Sequence, residues 1–208
     1  MIRLAFLRHG VTGWNREGRI QGRTDIPLDA EGRDRLDRLA LPEAWRDAVL
    51  HASPLSRAVE TARRLGGGRP VRTDARLIEM DWGAWEGRHG AALRADPASG
   101  YRDIEQWGWD FRPPGGESPA DLRDRLTGWL KELASERAGE GAGEGAGAHL
   151  VVSHIGVMRV ALALAWSWDF RGPPPVPVKR ERLYAMTLAA DGTLRPAGER
   201  TGERLPCL

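Results

Sequence analysis

The sequence contains a single cysteine, Cys207, and this scarcity excludes several kinds of protein. One cysteine cannot form an internal disulfide, and it cannot supply the thiolates of a cysteine-based zinc site. No apolar run is long enough to span a bilayer. The amino terminus also lacks a basic region followed by an apolar stretch and a cleavage site, so we expect no signal peptide. These absences predict a cytoplasmic protein without a membrane partner.

Blocks of like charge are missing as well. The formal net charge is +2, and acidic and basic residues are mixed along the chain, with arginine supplying nearly all of the positive charge. Proteins that bind nucleic acids usually concentrate their basic residues, so this pattern predicts no nucleic-acid partner. The 208 residues are 41% hydrophobic and 29% charged, which is typical of a globular protein. We expect one domain over residues 1–208 and leave the oligomeric state open, with a homodimer as one alternative.

Apolar segments alternate between strand-like and helix-like patterns. The segments that favour strands are Ile2–Leu7, Ala48–Ser53 and His149–His154, and Pro70–Met80 favours a more exposed strand followed by a loop. Helix starts are expected at Asp29, Pro54 and Ser118 and directly after His154, and a hairpin is expected to turn at Asp191–Gly192. The Gly- and Ala-rich stretch 138–148 is predicted to be a flexible loop inside the domain. This order predicts an α/β domain with a mostly parallel sheet and helices on both faces.

Polar, chemically capable residues follow three of the predicted strands. The first strand ends in Arg8–His9–Gly10, the second is followed by Arg57, and the late strand ends in Ser153–His154. Because the carboxyl ends of parallel strands meet at one edge of a sheet, these side chains should converge there, beside helix N-termini. Two arginines and two histidines without an accompanying carboxylate suit a phosphate ester, since arginine binds phosphate oxygens with two hydrogen bonds.

Several phosphate chemistries can be compared with this set. A metal site is disfavoured because the neighbours of the histidines are Arg8 and Arg57, and no HExxH motif is present. A GxxxxGK[ST] loop is also missing, which disfavours a P-loop nucleotidase. Covalent catalysis remains, in which a neutral imidazole nitrogen attacks phosphorus. The leaving alkoxide then needs an acid, for which Glu79 is the best candidate, with Asp81 and Glu86 as competitors.

Six segments of the sequence, in this order, resemble the histidine phosphatase superfamily, also called the phosphoglycerate mutase-like proteins. They are "LRHGVTGWN", "GRIQGRTDIPLDAEGR", "ASPLSRAVETA", "LIEMDWGAWEGR", "PPGGESPADL" and "VVSHIGVMR", and they span residues 4 to about 160. The resemblance implies a three-layer α/β/α sandwich and a reaction that needs no metal and no other cofactor. It also implies a small phosphorylated metabolite as the substrate.

The resemblance assigns roles to individual residues as well. His9 is implied as the phosphohistidine, and Glu79 as the proton donor that later activates water. Phosphoryl oxygens and substrate are implied to contact the remaining positions, namely Arg8, Arg57, His154, Asn15, Gln21 and Gly22. Ile155 departs from the family pattern, in which a small residue often follows the second histidine, and it is expected to narrow the pocket.

The compact chain is most similar to the phosphatase branch, which includes alpha-ribazole phosphatases and broad-specificity phosphatases. We therefore predict a metal-independent phosphomonoesterase that works through a phosphohistidine. Two alternatives remain at this point. One is a phosphoglycerate mutase, and the other is a catalytically silent module that binds a phosphorylated ligand.

Overall fold

The computed structural model describes residues 1–139, 147–198 and 202–208. Within them lies a seven-stranded sheet, whose strands are β1 (Ile2–Arg8), β2 (Val49–Ala52), β3 (Val71–Thr73), β4 (His149–Ser153), β5 (Arg182–Leu188), β6 (Leu194–Pro196) and β7 (Glu203–Arg204). The order across the sheet is β3-β2-β4-β1-β5-β6, and β7 pairs with β5. The pairs β3-β2, β2-β4 and β4-β1 are parallel, whereas β5 runs antiparallel to its neighbours.

Helices cover both faces of this sheet. They are α1 (Gly13–Glu17), α2 (Ala30–Leu36), α3 (Ser56–Leu65), α4 (Gly90–Ala95), α5 (Pro119–Gly139) and α6 (Ile155–Trp166), with short 3₁₀ turns at Glu43–Trp45, Ala75–Leu77, Gly83–Trp85 and Pro97–Ser99. Successive side chains of a strand point to opposite faces of the sheet, and those of β1 do the same. Leu4 and Phe6 join the apolar core under α5 and α6, and Ala5 and Leu7 join the core under α2 and α3. Both faces are therefore buried, which confirms the predicted α/β/α sandwich.

Most predicted boundaries differ from the observed ones by one or two residues. Asp29 caps α2 by accepting a hydrogen bond from Gly32 N, as expected, although the helix ends at Leu36. The predicted start of α3 at Pro54 is wrong, because the helix begins at Ser56. The hairpin turn at Asp191–Gly192 is confirmed between β5 and β6. None of the helices in the described part of the chain is long and apolar enough to cross a membrane.

The predicted loop at 138–148 is only partly covered by the described residues. Helix α5 continues through Gly139, so the expected start of the loop at Ala138 is wrong. Residues 140–146 lie outside the described ranges. Strand β4 then begins at His149, in parallel register with Leu4 on one side and Val49 on the other. The long helix before residues 140–146 and the strand after them both belong to the layers of the sandwich.

Candidate active site

The carboxyl ends of β1 and β4 bring the two predicted catalytic histidines together. Arg8 pairs with Ser153 at the end of the parallel register, and the backbone N–H of His9 donates to Ser153 O at 3.0 Å. His154 follows Ser153, and the ring centroids of His9 and His154 lie 5.1 Å apart. Both histidines are buried. The expected convergence at the edge of the sheet is thus present.

The hydrogen bonds of His9 define which nitrogen is available for chemistry. Nδ1 lies 2.7 Å from the carbonyl oxygen of Gly10. A carbonyl can only accept, so Nδ1 carries the proton and Nε2 keeps its lone pair. Burial lowers the pKa of His9 well below its ordinary value, and the nearby His154, Arg8 and Arg57 lower it further. His9 is therefore a neutral imidazole with an unprotonated Nε2.

His154 has the opposite tautomer. Its Nδ1 accepts a hydrogen bond from Arg57 Nε at 3.3 Å, so the proton of the neutral ring is on Nε2. Nε2 is sealed from solvent and has no hydrogen-bond partner among the described residues. Burial, followed by the charges of Arg57 and Arg8, lowers the pKa of His154 well below its ordinary value. The site therefore contains one imidazole nitrogen that can attack and one imidazole N–H that can donate.

Arg57 is completely buried and connects three parts of the site. Besides its bond to His154, it donates from Nη1 to Thr24 O at 2.9 Å and from Nη2 to Gly22 O at 2.6 Å. It therefore holds both the loop after α1 and the imidazole of His154. Gly22 takes part through its carbonyl, and a Cβ there would lie 2.7 Å from Glu86 Oε2. Among the predicted site residues, Arg57, Gly22 and His154 do not line the cavity in front of His9 as the described residues form it.

Glu79 is the carboxyl group that faces this cavity, and it is buried. Its Oε1 accepts hydrogen bonds from Met80 N at 2.8 Å and Gly156 N at 3.0 Å. Burial raises the pKa of Glu79, and it outweighs the lowering by these two N–H groups and by the arginines. A Cβ at position 156 would lie 2.3 Å from Glu79 Oε1, so glycine is required where α6 begins.

The two competitors for the role of acid have other partners. Asp81 Oδ1 accepts from Gly83 N at 2.8 Å, and its other oxygen faces Arg23. Glu86 accepts from the backbone N–H of Thr24. Neither side chain lines the cavity as it is formed by the described residues. Of the three carboxyl groups considered, only Glu79 lines the cavity formed by the described residues.

Asn15 and Gln21 form a small polar network on the other side of His9. Thr12 caps α1, and its backbone N–H donates to Asn15 Oδ1 at 3.1 Å. Asn15 Nδ2 and Thr12 Oγ1 both donate to Gln21 Oε1 at 3.1 Å. Because its oxygen is used in this way, Gln21 presents its amide nitrogen, which is buried and without a partner among the described residues. Both Asn15 and Gln21 line the cavity, as predicted for substrate contacts.

The cavity in front of His9 has a volume of about 320 Å³. Its outer wall comes mostly from residues that sequence analysis did not single out, namely Arg19, Ile20, Arg94, Tyr101, Asp103, Ile104, Glu105 and Arg159, together with Trp82 and Trp107. Ile155 also lines it, and its expected narrowing of the pocket stays a prediction. Residues 94–107 lack a regular apolar period, so no pattern predicted their place. Arg159 could have been found, because it lies one helical turn after Ile155.

Arg8 and Arg180 make the innermost part of the site strongly positive. Arg8 Nε, Arg180 Nε and Arg180 Nη2 are sealed from solvent without hydrogen-bond partners among the described residues. Burial and the charge of Arg180 lower the pKa of Arg8 to about 9, and burial lowers that of Arg180 to about 10. Sequence analysis missed Arg180, which lies in the irregular segment just before β5. Unpartnered buried cations of this kind indicate a site for an anion.

Within ranges 1–139, 147–198 and 202–208, no three His, Cys, Asp or Glu side chains cluster as the ligands of a metal ion would. The expectation of a metal-independent reaction stays a prediction and needs an experiment in solution.

Comparison with known proteins supplies an independent line of evidence. Glucosyl-3-phosphoglycerate phosphatase of Mycolicibacterium vanbaalenii is 35% identical over 169 residues, which cover 77% of this chain and 72% of that protein. Probable phosphoglycerate mutase GpmB of an Enterobacter species is 35% identical over 136 residues. This second match covers 64% of this chain and 63% of the mutase, which is less than two thirds of its length.

Solved structures agree with these relatives. A mycobacterial glucosyl-3-phosphoglycerate phosphatase, solved in complex with VO3, superimposes with a TM-score of 0.81 at 28% sequence identity. The superposition covers 98% of this chain and 100% of that one. In addition, the family model of the histidine phosphatase superfamily (branch 1) matches residues 4–194. The chain therefore belongs to the histidine phosphatase superfamily.

Proposed function

We propose that this histidine phosphatase is a metal-independent phosphomonoesterase that hydrolyses a small phosphorylated metabolite through a phosphohistidine at His9. The observation that carries the proposal is the opposite tautomers of the two histidines. His9 Nδ1 is held by Gly10 O, so Nε2 is free to attack, whereas His154 Nδ1 is held by Arg57, so Nε2–H is free to donate. A nucleophile and a hydrogen-bond donor, 5.1 Å apart between ring centres, suit a phosphoryl group between them.

In the first step, His9 Nε2 forms a bond to phosphorus while the bond from phosphorus to the ester oxygen breaks. Arg8, His154 Nε2–H and the amide nitrogen of Gln21 stabilise the phosphoryl oxygens, and all three have unpartnered nitrogens here. Arg57 adds its positive charge and fixes the orientation of His154. Glu79 donates its proton to the departing oxygen, because burial raises its pKa and so favours the protonated form of the carboxyl group.

In the second step, water attacks the phosphohistidine. Glu79, now a carboxylate, takes a proton from that water, and the bond between Nε2 and phosphorus breaks to release inorganic phosphate. The proton that Glu79 gains restores the starting state for the next turnover. The same carboxyl group thus acts first as acid and then as base. This double role requires that Glu79 face the same cavity as His9, and both residues line it.

The experiment is incubation of the purified protein with an aryl phosphate in the presence of excess EDTA. We expect release of phosphate without added metal, together with an acid-labile phosphoenzyme after rapid quenching. Loss of activity in EDTA that is restored by a divalent cation would contradict the metal-independent mechanism. Formation of the phosphoenzyme is measured by quenching on the millisecond scale. Turnover without any phosphoenzyme on this scale would contradict the covalent step.

A mutase is the second candidate, because one curated relative is named a probable phosphoglycerate mutase. Such an enzyme must return the phosphoryl group to a sugar acid before water reacts with it. Conversion of 3-phosphoglycerate to 2-phosphoglycerate is therefore measured beside release of phosphate. Faster conversion than release would favour the mutase. A protein that binds phosphate but forms no phosphoenzyme would instead be a silent binding module.

The natural leaving group is best sought by a screen of phosphorylated metabolites for turnover. Glucosyl-3-phosphoglycerate belongs in the screen because one relative is named for it. Alpha-ribazole phosphate and sugar phosphates belong there because the compact phosphatase branch includes enzymes for such compounds. Comparison of kcat/KM across this panel then ranks the substrates.

A further inference from the structure

Four arginines line the cavity in front of His9, and they differ in whether they have a partner. Arg19 donates to Glu17 Oε2 at 2.5 Å and to Gly87 O at 2.9 Å. Arg94 forms an ion pair with Asp103 at 2.6 Å. The side chains of Arg8 and Arg159, by contrast, make no hydrogen bond and no ion pair with any described residue, and Arg8 Nε is buried. Arg8 directly precedes the nucleophile, so the phosphoryl group explains it. Arg159 is left without an explanation.

Arg159 lies on the part of the cavity wall that helix α6 and Trp107 form. It lies on α6, four residues after Ile155 and therefore on the same side of the helix, and both side chains line the cavity. Its guanidinium carbon lies 5.8 Å from the ring centroid of Trp107. A guanidinium over a tryptophan face is held by the cation–π attraction, yet its N–H groups remain available at its edges.

The nearby carboxylates do not neutralise this cation. Glu79 is buried and is bonded to Met80 N and Gly156 N. Asp103 is paired with Arg94. Glu105 lines the cavity but is exposed, and it forms no ion pair with Arg159 in the described structure. Burial lowers the pKa of Arg159, but an arginine stays charged at neutral pH. A half-buried charge without a partner costs free energy, which a ligand of opposite charge would offset.

We propose that Arg159, supported by Trp107, binds a carboxylate on the non-reacting half of the substrate, so that the natural substrates are phosphate monoesters of an alcohol that also carries a carboxylate. This inference rests on the proposed phosphatase function and specifies its substrate class. The phosphoryl group lies at His9 and Arg8, and the second anion lies at Arg159. The intervening carbon skeleton lies against Ile155 and the tryptophan wall.

The test uses pairs of alkyl phosphates that differ only in the second anion. 3-Phosphoglycerate is compared with glycerol 3-phosphate, in which a hydroxymethyl group replaces the carboxylate. O-Phosphoserine is compared with O-phosphoethanolamine, which lacks the carboxylate. For the wild-type protein we expect kcat/KM to be about 10- to 100-fold higher for the acidic member of each pair, as a charge-assisted hydrogen bond provides. Equal kcat/KM for both members would overturn the proposal without affecting the proposed function.

The variant Arg159→Gln separates this role from a contact with the phosphoryl group. We expect it to lower kcat/KM for the acidic esters by about 10- to 100-fold and to change that of the neutral esters by less than about threefold. An equal loss for both classes would place Arg159 at the phosphoryl group and would overturn the inference. If neither class nor an aryl phosphate is hydrolysed by the wild-type protein, the proposed function itself fails.

A matched control is available elsewhere in the chain. Arg123 also lies over a tryptophan, with its guanidinium carbon 5.2 Å from the ring centroid of Trp109, and it is paired with Asp124. It does not line the cavity. Arg123→Gln should therefore leave the preference for acidic esters unchanged.

Arg159→Lys provides a second variant for the case in which Arg159→Gln does not fold. It retains the charge, and we expect it to keep part of the preference for acidic esters. If Arg159→Lys lowered kcat/KM for the acidic and the neutral esters by the same factor, the result would contradict the proposed role of Arg159.

Discussion

Two pairs of buried histidines lie on this sheet, and they differ in what their ring nitrogens contact. His9 and His154 have ring centroids 5.1 Å apart, and those of His51 and His149 lie 5.2 Å apart. In the second pair, His51 Nε2 lies 2.9 Å from His149 Nδ1, and His51 packs edge-on against Trp129. In the first pair, each Nδ1 is bonded to another part of the protein and each Nε2 is left for a ligand.

Hydrogen bonding rather than residue type therefore separates the pair that we propose to be catalytic from the other pair. All four imidazoles are buried. Burial and the neighbouring histidine lower the pKa of His51 to about 4, and burial also lowers the pKa of His9. A neutral imidazole is therefore common to both pairs. What distinguishes His9 is a free Nε2 in a cavity that also contains Arg8 and Glu79.

The largest expected difference between the pairs is in catalysis. His9→Ala removes the nucleophile and should lower kcat by about 10⁴-fold or more, whereas His51→Ala should change kcat by less than about threefold. Steady-state release of phosphate from an aryl phosphate measures both. The comparison of the two pairs would be wrong if His51→Ala lost as much activity as His9→Ala while remaining folded by circular dichroism.

The next prediction concerns the carboxyl group beside each pair. Glu79 faces His9 across the cavity, while Asp74, near His51, is bonded to Arg76. Glu79→Gln cannot donate a proton, so it should slow alkyl phosphates by about 10²- to 10⁴-fold and aryl phosphates, which have better leaving groups, far less. Asp74→Asn is the control and should affect neither. An equal loss on both substrate classes would show that Glu79 is not the general acid.

A smaller effect is expected when the tautomer of His154 is disturbed. Lysine cannot reproduce the planar fork by which Arg57 reaches His154, Thr24 and Gly22 at once. Arg57→Lys should lower kcat/KM by about 10- to 100-fold, while a phosphoenzyme can still be trapped. Arg33→Lys, which alters a half-buried ion pair with Glu60, serves as the control. Unchanged activity in Arg57→Lys would mean that the orientation of His154 does not depend on this fork.

The smallest predicted change is one of stability and not of activity. A histidine whose folded pKa lies below its unfolded value contributes stability that is complete above the unfolded pKa and is lost as the pH falls toward the folded pKa. For His51 this window runs from about 6.5 down to about 4. The free energy of unfolding should therefore decrease as the solution is acidified through this range, by on the order of 3 kcal/mol from His51 alone.

His51→Gln tests this contribution, because it keeps a polar group next to His149 but removes the titrating ring. Urea unfolding at several pH values should give a shallower dependence on pH between about 6.5 and 4 than in the wild-type protein. His9 and His154 still titrate in the variant, so part of the slope remains. His89→Gln, at an exposed position, should leave the slope as it is. An unaltered slope in His51→Gln would contradict the burial of a neutral His51.

Much of the fold could be predicted because its signals are local. The apolar run of β1, the cap at Asp29 and the turn at Asp191–Gly192 each depend on a few neighbouring residues. The convergence of His9 and His154 also followed from the sequence, since parallel strands share an edge. The outer wall of the cavity could not be predicted in this way. Residues such as Tyr101 and Glu105 lie in an irregular segment, whose path depends on packing against Trp82, Trp85 and Trp107.

The sequence by itself determined which chemical groups the site contains. Six ordered segments contain the histidines, the arginines and Glu79, and they match one family of phosphatases. Only the tertiary structure decided how these groups are used. The tautomer of His154 depends on Arg57, 97 positions away, and the pKa of Glu79 depends on burial against Gly156. The unpaired charge of Arg159 likewise depends on which carboxylates are already engaged by other partners. Such hydrogen bonds and desolvation arise between residues distant in the chain, so no local pattern encodes them.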